Sequence, residues 1–114
     1  MKIINMSNSL LITENCYVAD NFWSRLKGLL GNKELKSDEA LLLSPCNSIH
    51  MFFMHFSIDA IFIDKNKVVI HIIQNLKPWR ISPVIRNSRY VLELPAGSVT
   101  KYNLAIGDKL NMLI

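Results

Sequence analysis

Two apolar runs, Ile58-Asp59-Ala60-Ile61-Phe62-Ile63 and Val68-Val69-Ile70-His71-Ile72-Ile73, stand on either side of the polar tetrapeptide Asp64-Lys65-Asn66-Lys67. β-Branched and aromatic side chains pack well on a pleated surface, and a polar turn between two such runs is a hairpin signal. Neither run alternates apolar with polar, so both faces of each strand need cover. The hairpin is therefore expected at the centre of the fold. It carries one anomaly: Asp59 lies between Ile58 and Ala60, where an ionised carboxylate needs a cation or several hydrogen-bond donors. The arginines at 25, 80, 86 and 89 are the candidate cations, because a guanidinium fork matches a carboxylate.

The rest of the chain is read around this hairpin. Ile3-Ile4, Leu10-Leu11-Ile12 and Tyr17-Val18 form three brief strands, separated by Ser7-Asn8 and Glu14-Asn15. Residues 21 to 30 predict a helix. Asp20 suits its N-cap, Phe22, Trp23, Leu26, Leu29 and Leu30 make its apolar stripe, and Gly31-Asn32 ends it. Ala40 to Leu43 is a buried strand stopped at Pro45. The segment Lys77 to Pro83, with two prolines, suits a loop or an edge. Arg89 to Leu94 and Lys109 to Ile114 supply further strands, the last entered through the turn Ile106-Gly107-Asp108. The expected fold is mainly β: a small barrel or sandwich of short, mostly antiparallel strands with one short helix near the N-terminus. With 114 residues, no linker, no repeat and no low-complexity tract, the chain reads as one domain over 1–114.

Chemistry-bearing residues are densest between Cys46 and Asp59, where a thiol, the imidazoles of His50 and His55 and a carboxylate occupy fourteen positions. Cys46, His50 and Asp59 are zinc-ligand types, but a strand turns the two histidines to opposite faces. Cys46 with a histidine base is the nucleophilic reading. The structural reading has both histidines hydrogen-bonding at a strand end and Met51 to Met54 in the core. The expectation is that no metal and no cofactor is held. Cys16 and Cys46 are read as reduced, partly buried thiols. Trp79-Arg80, in its proline-bounded loop and followed by Arg86, Arg89 and Tyr90, either packs its Trp on the barrel or stacks and binds phosphate as single-strand nucleic-acid sites do.

These pieces come together in one resemblance. Arg25-Leu26-Lys27-Gly28-Leu29-Leu30, His50-Met51-Phe52-Phe53-Met54, Ile58 to Asp64, Lys77-Pro78-Trp79-Arg80, Val91-Leu92-Glu93-Leu94-Pro95-Ala96-Gly97 and Ile106-Gly107-Asp108 occur in this order. In order and spacing they resemble the bacterial and archaeal family known as domain of unknown function 192, over roughly residues 15 to 112. The resemblance implies a β-rich fold with a short helix, and no established activity. Many members look exported or membrane-anchored. The commoner family form reads Phe-Trp-Met-Lys-Asn-Thr where this chain has Phe52-Phe53-Met54-His55-Phe56-Ser57, so its Lys-Asn pair is absent here. Arg25, Met54, Asp59, Asp64 and Asp108 are the positions carried over, as a shared cleft or a shared requirement of the fold.

Two functional classes follow. The first is a non-catalytic binding or accessory domain holding a small molecule or peptide in a cleft near Asp59, with Arg25, Phe53, Met54, Asp59, Trp79 and Arg80 as ligand-binding residues. The second is a hydrolase using Asp59 with His50 or His55 for acid–base work. The chain shows no nucleophile motif, phosphate loop or paired catalytic carboxylates, which favours the first. A net charge of +4 is too small an excess to imply nucleic acid. No apolar run approaches the roughly 20 residues of a membrane span, and no signal peptide is evident, so a cytoplasmic protein is expected.

Overall fold

The computed structural model describes residues 1–19, 35–52 and 54–112. In chain order they form β1 (Ile3–Asn5), β2 (Leu10–Thr13), β3 (Asn15–Ala19), β4 (Glu39–Leu43), β5 (Ile58–Ile63), β6 (Val69–Leu76), β7 (Tyr90–Pro95), the one-turn helix α1 (Ser98–Lys101) and β8 (Leu110–Met112). The expected helix over 21–30 lies outside the described residues, as do Arg25 and Phe53. The helix that is described sits instead near the C-terminus.

β5 is an interior strand, with all six residues buried. It pairs antiparallel with β6 on one side and β7 on the other, within a five-stranded sheet ordered β3-β4-β7-β5-β6. The hairpin turn is built by Asp64, whose Oδ1 accepts the N–H of Asn66 at 2.8 Å and of Val68 at 3.0 Å. β6 departs from the expectation of a central hairpin. Among the described residues it forms the sheet edge, and Ile70, His71, Ile72 and Ile73 are only half buried. β3 and β4 run parallel, from Asn15 opposite Glu39 to Ala19 opposite Leu43. A parallel pair cannot be closed by a tight hairpin and needs a longer connection.

β2, β1 and β8 make a second, three-stranded sheet. No ladder joins the two sheets into a closed barrel among the described residues. Backbone contacts between them include the isolated bridge Val68–Lys109, where Val69 N–H donates to Asp108 O at 2.8 Å, and the bonds that Met1 and Cys16 exchange at 3.0 Å. A barrel needs continuous pairing around its circumference, and three-residue strands such as β1 and β8 are too short to supply it. What binds the sheets is apolar burial. Ile3, Ile12, Leu110 and Met112 of the small sheet pack with Leu42, Ile61, Ile63 and Leu92 of the large one.

Alternation along each strand sends the other residues to the second face. There Leu41, Leu43, Ala60, Phe62 and Val91 are covered by Ile49, Met51 and Met54, from the segment between β4 and β5. No helix among the described residues is long and apolar enough to cross a membrane.

Cys16 of β3 illustrates the first core. Cys16 is a free, buried thiol, and Cys46 is buried as well. Burial pushes the Cys16 thiol up to about 11, against the opposing pull of the N-terminal ammonium and a backbone hydrogen bond with Leu42. Below the ordinary thiol value of 9.0 the group is neutral whether folded or unfolded, so it leaves stability unchanged. Between pH 9 and about 11 only the unfolded chain releases the proton, so stability falls as pH rises through that window. The difference in unfolding free energy between wild type and Cys16→Ala, followed by urea melts, should therefore narrow from pH 9 to pH 11. In the native protein at pH 8, mass spectrometry should find Cys16 unalkylated by iodoacetamide under conditions that label the denatured chain fully.

Candidate functional site

Asp59 is 1% exposed, and among the described residues its carboxylate is matched by backbone donors. Oδ1 accepts the N–H of Asn75 at 2.9 Å, while Oδ2 accepts those of Gly97 at 3.1 Å and Val99 at 2.9 Å. Each bond has a local reason. The β5–β6 register slips between Ile58–Leu76 and Ala60–Ile73, so two residues of β6 oppose Asp59 alone. Asn75, at φ 53°, is one of that pair, and Asp59 takes up its amide. On the other side α1 begins at Gly97, at φ 96°. Glycine reaches this left-handed conformation without strain but has no side chain to cap the helix. Asp59 supplies the missing cap from 38 residues away. A Cβ at Gly97 would meet nothing within 4 Å, so the position is conformationally rather than sterically demanding.

The other carried-over carboxylates do similar work at separate places. Asp64 holds the β5–β6 turn. Asp108 Oδ2 accepts Asn5 Nδ2 at 2.7 Å and the N–H of Ala105 at 2.9 Å, tying the turn before β8 to β1. Each of the three carboxylates holds local backbone at its own place in the fold. A buried carboxylate absent from the sequence-derived candidates is Glu93, 2% exposed on the second face and opposite Leu41 and Ala60. Its signal was the one that marked Asp59: a single acid inside an apolar strand.

The metal and acid–base readings lose their geometry. Among the described residues no group of three or more His, Cys, Asp or Glu is placed to hold a metal ion. The Cys46 thiol donates to Ser48 O at 3.2 Å. Neither His50 nor His55 is a partner of Asp59, and both are exposed. Met54 is buried in the second core.

Trp79 and Arg80 are placed elsewhere, on a surface formed by two loops zipped antiparallel. Met51 N–H donates to Arg80 O and Trp79 N–H to Met51 O, both at 2.7 Å, while Ser82 N–H donates to Ile49 O and Ile85 N–H to Asn47 O, both at 2.8 Å. His50 bridges Ile81. Ser82 locks the register from its side chain, its Oγ accepting Ile49 N–H at 2.9 Å. The zipper turns Ile49 and Met51 inward and His50 and Phe52 outward. Phe52, expected in the core, thus joins an aromatic ladder. The His50 and Phe52 rings lie 4.9 Å apart, and those of Phe52 and Trp79 6.1 Å apart. Trp79 is 59% exposed and held at φ 67°, a conformation that costs a bulky residue about 1–3 kcal/mol.

Open mixed-sheet frame, carboxylates used as turn staples and an exposed ring ladder describe a β-rich domain without a recognisable catalytic constellation among the described residues. The chain belongs to the DUF192 family, described as uncharacterized ACR, whose model matches residues 3–112. A UPF0127 protein of Pyrococcus horikoshii is 36% identical over 111 residues, covering 95% of this chain and 96% of that one. A UPF0127 protein of Thermococcus sibiricus is 31% identical over 113 residues, covering 96% and 73%. Among solved structures, a protein of unknown function from Novosphingobium aromaticivorans superposes with a TM-score of 0.82 at 21% identity, covering 97% of this chain and 82% of that one. A putative transcription regulator from Sinorhizobium meliloti gives 0.78 at 24%, covering 96% and 89%. At these identities the two structures speak for the fold alone.

Replacing Asp59 with Asn puts an amide donor where the described residues offer N–H groups, so at least one of the three bonds is lost and a backbone donor is left buried. The expected cost is about 2–4 kcal/mol, read as a fall in Tm on the order of 10 °C by circular dichroism. An unchanged Tm in Asp59→Asn would remove the structural role argued for this side chain.

Proposed function

We propose that the chain is a non-catalytic binding or accessory domain, one domain over residues 1–114, which holds a small molecule or peptide on the surface around Trp79 and Arg80. The observation that carries this reading is the exposed ladder of His50, Phe52 and Trp79. A contiguous apolar surface marks an interaction site more often than a solvated one, and backbone strain concentrates where function demands it. Aromatic residues and arginine are also the side chains that contribute most to binding energy at interfaces.

Within this reading Trp79 and Arg80 touch the ligand. Asp59 and Met54 hold the frame, and Arg25 and Phe53 stay as candidates from the sequence. The partner is a small molecule or peptide rather than nucleic acid or membrane. A cytoplasmic setting suits two reduced thiols, which an oxidising compartment would put at risk.

A thermal-shift screen of metals, sugars, nucleotides and short peptides tests the proposal, since a ligand that binds the native state raises Tm by mass action. Trp79→Ala and Arg80→Ala, both at exposed positions, should each change stability by no more than about 1 kcal/mol and abolish the shift produced by any stabilising compound. A shift that survives both substitutions would place the site elsewhere.

A further inference from the structure

The ladder sits on segments of one charge sign. From Ala40 to Ile58 and from Lys65 to Leu92 there is no aspartate or glutamate, while the second stretch contains six lysines and arginines. Lys77 and Arg80 are exposed at the Trp79 end of the zipper, and Arg86 and Arg89 at the end where Ile85 meets Asn47 and Arg89 O accepts Cys46 N–H. Between the two pairs the surface is aliphatic, with Ile81 63% and Val84 70% exposed. The order along the zipper is therefore cationic, aromatic, aliphatic, cationic, over roughly 20 Å for six or seven extended residues.

We infer that this surface binds an extended acidic peptide whose apolar centre lies on Phe52, Trp79 and Ile81 and whose Asp or Glu side chains at both ends meet Lys77–Arg80 and Arg86–Arg89. The inference rests on the binding-domain reading and adds the class of partner. An apolar centre with a charged rim is the ordinary anatomy of a protein–peptide contact, and the rim sets the sign of the partner. A single nucleic-acid strand fits less well. It carries a phosphate at every nucleotide and tracks a groove that is positive throughout, whereas among the described residues the middle of this surface offers aliphatic groups and no lysine or arginine.

The test uses the full chain and two fluorescein-labelled octapeptide pools, each with four randomised apolar residues at its centre. One pool has Glu-Glu at both ends and the other Gln-Gln; labelled oligo(dT) is the third probe. Fluorescence anisotropy at 50 mM salt should show the Glu pool binding at least tenfold more tightly than the Gln pool, with the advantage shrinking as salt rises. The double variant Lys77→Glu/Arg80→Glu, checked for an unchanged Tm, should lose that advantage, while Trp79→Ala weakens both pools. Equal binding of the two pools would overturn the acidic partner and leave the binding domain standing. Binding of neither pool, or binding that Trp79→Ala does not alter, would overturn both. Tighter binding of oligo(dT) than of either peptide pool would overturn the peptide in favour of a nucleic-acid strand.

Discussion

One carboxylate organises the centre of this protein. Asp59 stands on a strand whose six residues are all buried and joins three pieces of backbone: β5 itself, the bulge where the β5–β6 ladder slips at Asn75, and the start of α1 at Gly97 and Val99. Burying an ionised group is costly unless its lone pairs are matched. The protein matches them with amides that need a partner just as much, because a bulge and a helix start both release N–H groups from regular pairing. The desolvation of the carboxylate and the unmet donors of two irregular segments cancel in a single contact. Removing the side chain thus costs more than its own bonds, since it strands the donors it serves.

Asp64 and Asp108 extend this logic outward. Each accepts a backbone N–H in a turn, and Asp108 also takes the Asn5 amide, so the carboxylates tie the ends of short strands together. Strands of three to six residues have few ladder bonds of their own, and two open sheets have edges to stabilise. Side-chain staples at the turns are a physical answer to short strands.

These arrangements were unevenly legible in the sequence. The β5–β6 hairpin announced itself because composition and turn chemistry agree locally. Asp59 announced itself as a charge out of place, but its donors did not, since backbone amides of Asn75, Gly97 and Val99 carry no residue-type signature. An arginine partner was the visible alternative. α1 is a single turn, too short for any apolar period to build up. The parallel pairing of β3 with β4 depends on a crossover and cannot be read from either strand alone. Phe52 reads as inward because it is apolar. Its direction is set by the zipper with residues 79–85, a long-range pairing that decides which of Met51 and Phe52 faces solvent.

That zipper also determines what kind of recognition the surface supports. Exposed apolar residues on extended backbone invite another strand to add at the edge. Here the backbone edges of residues 46–51 and 79–85 that face one another are satisfied by each other, so what this seam offers to solvent is side chains. Recognition by side chains alone depends on rigid placement, because rings that are free to reorient lose conformational entropy on every encounter. The bonds on both sides of Trp79 and the locked register at Ser82 provide that placement in advance. The strain held at Trp79 is then intelligible as the cost of presenting a large ring to solvent in one orientation.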